Sequence, residues 1–380
     1  MSELPRRRLL QAGASALLGG VGLLACSSTK EDTLLSPATD SFAADSTGRW
    51  RMPAESARHA RTFMSWPPLG SVWEGKDGPA VQSDIAAIAR AVAEFEPVVL
   101  LAAPAETRAA GRACGSGVEV IPIATDDLWM RDSGPTFVIG SGTLAGIDFH
   151  FNGWGGKQEH ARDEMVAASL LSRIGVTRID APITAEGGSL EVDGEGTLMA
   201  TQSSLINPNR NPGVSREAIE TALKDLTGVS KVIWFDGVRG QDITDYHVDS
   251  LARFAEPGTV LLSRPAPADD VWTRAYRQAL KVLQQATDAR GRRFEIVDLP
   301  EPDPTTIADR GEAFLGSYAN YYVVNGGVLV PRFGDRRGDA DAKAIVGELH
   351  PGREVVQMRI DTVAEGGGGI HCATQQEPAV

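Results

Sequence analysis

Four short segments hold most of the side chains able to do chemistry: Asp126–Pro135 (DDLWMRDSGP), Glu186–Ser189 (EGGS), Thr244–Asp249 (TDYHVD) and Gly366–Cys372 (GGGGIHC). Cys372 stands behind four glycines, eight residues from the C-terminus. A thiol in such a run is either a small buried group near a chain end or a nucleophile whose glycines allow close backbone approach. A cysteine nucleophile needs a proton shuttle. Among six histidines the best placed is His247, two residues from Asp249 and on the same face if the segment is a strand. His371 adjoins Cys372, so on an extended segment its ring points away from the thiol.

The acids of these segments pose a second question. Asp127, Glu186 and Asp249 are framed by glycine or aromatic residues, which solvated surface charges do not need. Acids that converge in one pocket require a cation or a metal to offset their repulsion. A metal reading would use His247, Asp249 and Cys372, whose spacing is not that of a zinc site. A guanidinium fits better, because it stays protonated and binds carboxylates through two parallel hydrogen bonds. Arg131 and Asp132 read as a buried structural pair that shapes their loop. No Gly-x-Gly-x-x-Gly follows the first strand and there is no P-loop, so no nucleotide cofactor is implied.

These segments lie beside alternating strand-like and helix-like stretches that begin at Trp50. Helices are expected over 80–95, 159–174, 214–227, 269–288 and 339–349; in the first, Ile85, Ile88 and Val92 share a face. Strands are expected at Thr62–Trp66, Val98–Ala102, Thr136–Ile139, Lys231–Phe235, Val260–Ser263, Tyr321–Val324 and Val328–Pro331. Four turn-plus-strand units look alike and start at Gly142, Gly196, Gly258 and Gly327, separated by 54, 62 and 69 residues. The pattern allows a repeated ββαβ-like unit around an axis or an ordinary α/β sheet.

Composition narrows the partners. The 380 residues suffice for a sizeable core in one large domain or two. A net charge of −13 argues against nucleic acid, which needs a basic surface, and favours a small cation. Three cysteines cannot build a disulfide framework in a chain this long. Arg6, Arg7 and Arg8 precede an apolar stretch, Leu9–Ala25, that ends at Cys26. This order resembles a twin-arginine export signal over 1–25 followed by a lipobox, with Cys26 as the lipidated first residue. Cleavage without lipid is the alternative. Losing three arginines and one glutamate would take the charge from −13 to −15. Residues 26–48 read as a flexible tether to a membrane, and the protein is expected to be exported and periplasmic.

Together the ordered motifs resemble the agmatine deiminase family, the bacterial and plant group that also includes secreted peptidylarginine deiminase. The resemblance runs from about Arg51 to Pro378. It rests on Arg51–Glu55 (RMPAE) with Thr62–Pro67 (TFMSWP), Asp127–Pro135, Phe151–Gly156 (FNGWGG), Glu186–Ser189 and Asn207–Pro212 (NPNRNP). It continues through His247–Asp249 with Leu251–Phe254 (LARF), then Gly366–Gly368 and Ile370–Gln376 (IHCATQQ). The resemblance implies the pentein fold, a single-domain, five-fold pseudosymmetric α/β propeller, here over 49–380. It implies Cys372 as nucleophile and His247 as general acid/base. It also implies Asp127, Glu186 and Asp249 as carboxylates that bind the guanidinium or orient the histidine, with Trp129 beside the substrate. No cofactor is implied. The implied reaction is hydrolysis of a small cationic guanidino substrate, agmatine to N-carbamoylputrescine. Two departures, Tyr246 where members often have glycine and Ile243 where several have an acid, leave other readings open. These are peptidyl-arginine, an arginyl peptide, free or methylated arginine, an amidinotransferase, and a lipid-anchored receptor without turnover.

Overall fold

The computed structural model describes residues 49–380 except 71, 74–76, 267–269 and 308–309. The expected signal over 1–25, the tether over 26–48 and Cys26 lie outside the described residues. The five expected helices form as Asp77–Ala93, Val166–Ile174 (after a short 3-10 turn at Asp163–Met165), Arg216–Thr227, Val271–Gln285 and Arg336–Leu349. Three of them begin where a side-chain oxygen takes an otherwise unpaired backbone N–H: Ser215 from Ala218, Asp270 from Thr273 and Asp335 from Arg337. The first helix turns Val81, Ile85, Ile88 and Val92 inward, all fully buried, as its 3.6-residue period requires.

Each of these helices lies in the crossover of a small mixed sheet. Four sheets share one connectivity: two antiparallel strands, the helix, then a third strand parallel to the middle one. Their strands are Thr136–Gly140, Thr143–Asp148 and Thr177–Asp180; then Glu191–Val192, Thr197–Thr201 and Lys231–Phe235. Next come Ala252–Glu256, Thr259–Arg264 and Glu295–Pro300, and last Tyr322–Val324, Gly327–Pro331 and Glu354–Met358. The repeated unit is therefore the correct choice of the two that the pattern allowed. Its hairpins turn at Gly142, Gly196, Gly258 and Gly326, all at positive φ, where a side chain would be strained. The last of these differs by one residue from the expected start, because Gly327 already lies in its strand.

The fifth sheet is assembled from both ends of the described body. His59–Ser65 runs parallel to Val98–Ala102, which in turn pairs with Val118–Pro122. On its other side His59–Ser65 pairs antiparallel with Thr374–Pro378, matching Met64 to Thr374 and Thr62 to Gln376. The final strand thus completes the first sheet, and the unit repeats five times.

This arrangement decides where chemistry can occur. Glu186, His247, Asp249, Asn320 and Cys372 all lie in the segment just before the first antiparallel strand of four of the five sheets. Asp127 and Asp132 hold the equivalent place before Thr136–Gly140 in the remaining sheet. Sequence positions hundreds of residues apart therefore occupy one structural position, repeated.

Candidate active site

Cys372 does not lie on an extended segment. Residues 370–373 form a turn, with Ala373 N donating to Gly369 O at 3.2 Å and Thr374 N to His371 O at 3.1 Å. The turn brings the His371 ring and the Cys372 thiol to the same neighbour, against the expectation that they diverge. Asn320 holds the turn from the adjoining sheet. Its Oδ1 accepts from Cys372 N at 3.2 Å, its Nδ2 donates to Sγ at 3.2 Å, and its backbone O accepts from His371 N at 3.2 Å. Gly369 must be small here, because a Cβ would stand 2.5 Å from Asn320 Oδ1. The Cys372 sulfur lies 3.5 Å from Asp249 Oδ2. Burial, then Asp249 and Asp132, push this thiol well above its usual pKa.

His247 and Asp249 likewise sit on a turn rather than a strand. His247 precedes the 3-10 turn Val248–Ser250, so the two meet the site by rotation of the chain and not by sharing a strand face. The two residues before it, Asp245 and Tyr246, both have positive φ, 60° and 67°. Aspartate adopts this region more readily than most residues, but for a bulky tyrosine it is unfavourable and persists only where other contacts enforce it. Asp245 supplies those contacts: Lys157 Nζ donates to its Oδ2 at 2.7 Å, Arg210 Nη1 at 2.6 Å, and Gly240 N to its Oδ1 at 2.8 Å.

The imidazole of His247 is held between two acids. Nε2 lies 3.3 Å from Glu186 Oε2, and Nδ1 lies 3.7 Å from Asp132 Oδ2. Burial alone would lower the His247 pKa, but Asp132, Glu186 and Asp249 overcome it and raise it to about 9. Burial would raise the Glu186 carboxyl, yet Arg210, whose Nε donates at 2.8 Å, holds it low and ionised. Asp132 accepts from Trp154 Nε1 at 2.9 Å and from Gly188 N at 3.0 Å. A Cβ on Gly188 would meet His247 Nδ1 at 2.7 Å and Asp132 Oδ1 at 2.9 Å, which explains a glycine under the imidazole.

Arg131 and Asp132 are both buried but serve different partners, which corrects their reading as a pair. Arg131 reaches Glu55 Oε2 at 3.3 Å and Gln376 Oε1 at 2.8 Å, whereas Asp132 faces His247. Glu55 also accepts from Arg253 Nη2 at 2.9 Å, and its Oε2 lies 2.8 Å from His371 Nε2. Burial would raise the Glu55 carboxyl, but Arg253, His371 and Arg131 hold it well below the usual range. Asp249 is drawn down to about 2, where burial is overcome first by the His371 hydrogen bond.

Asp127 stands on a different side of the site. Its Oδ1 accepts from Trp73 Nε1 at 2.7 Å and Leu128 N at 2.8 Å, and its Oδ2 from Gln158 Nε2 at 2.8 Å. Burial raises its pKa against these donors. Asp127, Trp73 and Gln158 line a cavity of about 680 Å³ that is also lined by Asp361, Glu365 and Arg310. Trp129 packs on the glycine run, where a Cβ on Gly368 would stand 2.1 Å from its ring. Cys372, His247, Glu186 and Asp249 are thus brought together through short contacts, and Asp127 faces the cavity. Cys114 is elsewhere, buried at the end of helix Thr107–Cys114, where burial pushes its thiol up to about 11.

Several residues of this site were not assigned from the sequence: Glu55, Asp132 facing the histidine, Arg210, Asn320 and His371. Charge accounting could have found Arg210, since a buried Glu186 needs a cation and NPNRNP offers one. Asn320 lies in a Tyr-rich strand approach without any distinguishing pattern.

The model of the Porphyromonas-type peptidyl-arginine deiminase family matches residues 51–378. The agmatine deiminase of Stutzerimonas stutzeri is 40% identical over 352 residues, 86% of this chain and 95% of that protein. That of Pseudomonas aeruginosa is 39% identical over 355 residues, 87% of this chain and 96% of its own. The solved agmatine deiminase of Enterococcus faecalis superposes with a TM-score of 0.81 at 31% identity, covering 88% of this chain and 99% of that one.

The Glu186–Arg210–Asp245 bridge makes a measurable demand on the fold. Arg210→Met takes the shared cation from two buried carboxylates, leaving Lys157 on Asp245 and His247 on Glu186, and breaking such a buried pair costs about 3–5 kcal/mol. Urea denaturation of the variant against the parent checks this; a loss under about 1 kcal/mol would place the bridge among solvated surface pairs.

Proposed function

The chain belongs to the Porphyromonas-type peptidyl-arginine deiminase family, and we propose that it hydrolyses agmatine to N-carbamoylputrescine and ammonia through a covalent intermediate on Cys372. One observation carries this reading: a thiol, an imidazole and carboxylates converge in one buried place. Cys372 Sγ lies 3.5 Å from Asp249, and His247 Nε2 3.3 Å from Glu186. A receptor for a guanidino compound would need the carboxylates but neither the thiol nor the imidazole. The cavity favours agmatine over free arginine. Asp77, Asp361 and Glu365 line it, and its Arg310 is already bonded to Asp361 at 3.0 Å. An ammonium-ended chain suits this lining and an α-carboxylate does not.

The chemistry follows from the charges. Without substrate the thiol is neutral and His247 is protonated at neutral pH. Asp127 and Asp249 fix the plane of an incoming guanidinium, which makes binding also orientation. The bound cation favours the thiolate by several kcal/mol at a separation of a few ångströms, and the thiol proton leaves to water. The thiolate attacks the central guanidinium carbon and an S–C bond forms. His247, steadied by Glu186 and Asp132, gives its proton to the departing amino group; a C–N bond breaks, and ammonia leaves a thiouronium. Neutral His247 then takes a proton from water as that water attacks the same carbon. The S–C bond breaks as the remaining hydroxyl proton passes to the departing sulfur, which restores the neutral thiol, and the ureido product is released.

We extend the proposal to residues 1–48, where the arginine-led apolar run and Leu23-Leu24-Ala25-Cys26 support export and a periplasmic, lipid-anchored protein. Radiolabelled palmitate should be incorporated by cells expressing the full chain and not by the Cys26→Ser variant. Secretion without label in either would leave cleavage alone.

The reaction is tested by offering agmatine, arginine and an arginyl peptide and measuring ammonia and ureido groups. Agmatine should give both products at a kcat/KM at least about tenfold above the others, an energy difference near 1.4 kcal/mol. Product from the peptide alone would overturn the substrate, and no product from any would favour the receptor. Cys372→Ser should bind agmatine without turnover; ammonia release by that variant would remove Cys372 from its role.

The pH dependence has a defined sign. The His247 pKa rises from 6.5 to about 9 in the folded chain, so its acid form persists through neutrality. kcat/KM should therefore fall as pH rises through about 9, where the proton donor is lost. The same shift contributes stability that is complete below 6.5 and lost through about 9. A pH–rate profile whose alkaline limb falls near 6.5 would contradict the acid pair around His247.

A further inference from the structure

His371 takes no part in the steps above, yet it is almost fully buried beside the nucleophile. Both of its ring nitrogens end on carboxylates: Nδ1 lies 2.8 Å from Asp249 Oδ2, and Nε2 lies 2.8 Å from Glu55 Oε2. An ionised carboxylate can only accept hydrogen bonds, and Nδ1 at bonding distance from Asp249 with Nε2 at ion-pair distance from Glu55 is the arrangement that suits a ring with a proton on each nitrogen. An imidazole that donates from both nitrogens carries a positive charge. Both acids are held ionised by other cations as well. Glu55 has Arg253 and Arg131, and Asp249 has Arg253 and His247 nearby.

The position of Asp249 creates a difficulty that this cation meets. Its Oδ2 lies 3.5 Å from Cys372 Sγ, and a carboxylate so close opposes formation of a thiolate. Asp132 adds repulsion, while the Asn320 side-chain N–H at 3.2 Å offsets part of it. His371 bonds the very oxygen that faces the sulfur. The other oxygen, Oδ1, meets the Ser250 hydroxyl at 3.3 Å and keeps lone-pair capacity for a ligand.

We propose that His371 is a positioning residue, a fixed cation that neutralises Asp249 Oδ2 beside the Cys372 sulfur and turns Oδ1 toward the substrate. Two features make the device rigid. The turn 370–373 carries nucleophile and cation on consecutive residues, and Arg131 Nε donates to His371 O at 3.2 Å. Glu55 anchors the far nitrogen, so the ring cannot swing away without leaving a buried carboxylate unpaired. The substrate half of this proposal rests on the deiminase reading; the thiol half rests on geometry alone and is tested without substrate.

The experiment measures alkylation of Cys372 by iodoacetamide across pH, followed by mass spectrometry of its peptide, in the full chain and in His371→Gln and His371→Asn. Both variants keep a side-chain N–H donor but carry no charge. The expected result is a midpoint moved up by about one pH unit or more, tenfold in thiolate fraction, in variants that melt near the parent. For agmatine, kcat should fall at least about tenfold while KM changes less, as for an interaction made mainly in the transition state. An unchanged alkylation midpoint in either folded variant overturns the proposal, even if turnover falls. Should neither variant fold, ¹⁵N NMR of the parent decides: two protonated ring nitrogens on His371 at pH 7.5 support the cation, and a neutral ring overturns it. Absence of turnover in the parent would sink the deiminase reading and leave the alkylation result standing.

Discussion

Glu55 is the point on which the rest of the structure depends. A single buried carboxylate is shared by Arg131, Arg253 and His371, and its Oε1 also accepts from Val323 N at 2.9 Å. Arg253 and Val323 lie in the first strands of two sheets; Arg131 and His371 lie just before the first strands of two others. Glu191, opening the remaining sheet, meets the same Arg253 at 2.9 Å. One ion cluster therefore ties all five repeats together at the segments that carry the site. Such a cluster is costly to desolvate and is weak support for stability in itself. Its value is geometric, because no member can shift without leaving an unpaired charge in a place that water does not reach.

That constraint explains why the site can hold so many acids. Asp132, Glu186 and Asp249 crowd one imidazole and one thiol, an arrangement that would protonate itself if its charges were unmatched. Each ionised acid has a cation assigned to it: Arg210 for Glu186, His371 for Asp249, and His247 between Asp132 and Glu186. Asp127 is met by the neutral N–H groups of Trp73, Leu128 and Gln158, and burial raises its pKa against them; burial, with Asp249 and Glu186 nearby, raises that of Asp132 as well, although His247 stands beside it. Of these four acids, Asp127 is the one that lines the cavity.

The helices and most strands were legible in the sequence, because a 3.6-residue apolar period and short β-rich runs are local signals. The glycine-led strand pattern leaves open the choice between a repeated unit and one sheet, and the ordered motifs, through the family resemblance, decide it for the repeat. The pairing of Thr374–Pro378 with His59–Ser65, which completes the fifth unit, is a contact between distant segments that no periodicity records. Cys372, His247, Glu186 and Asp249 are legible as chemistry, but their local geometry is not. An extended chain would put His247 and Asp249 on one strand face and turn His371 away from Cys372; in both places a tight turn replaces it. The positive φ at Tyr246 leaves no mark in residue type, since it follows a turn that the Asp245 side chain fixes through Lys157, Arg210 and Gly240.

On the proposed mechanism, selectivity for a cation is built in twice, and the second instance is the stronger. The acidic cavity lining raises the local concentration of positively charged molecules, an effect that salt screens. The buried thiol adds a condition that salt does not reach. Burial with Asp249 and Asp132 keeps Cys372 protonated, so the nucleophile is inert until a positive charge enters beside it. A neutral molecule of the same shape would bring no charge to the sulfur and would leave the thiol unreactive. The net charge of −13 matters little in comparison, because it is spread over solvated surface, whereas a few buried carboxylates set when the sulfur can react. Binding and activation are then one event, and the raised thiol pKa, which in isolation argues against a nucleophile, is what confines its reactivity to a bound guanidinium.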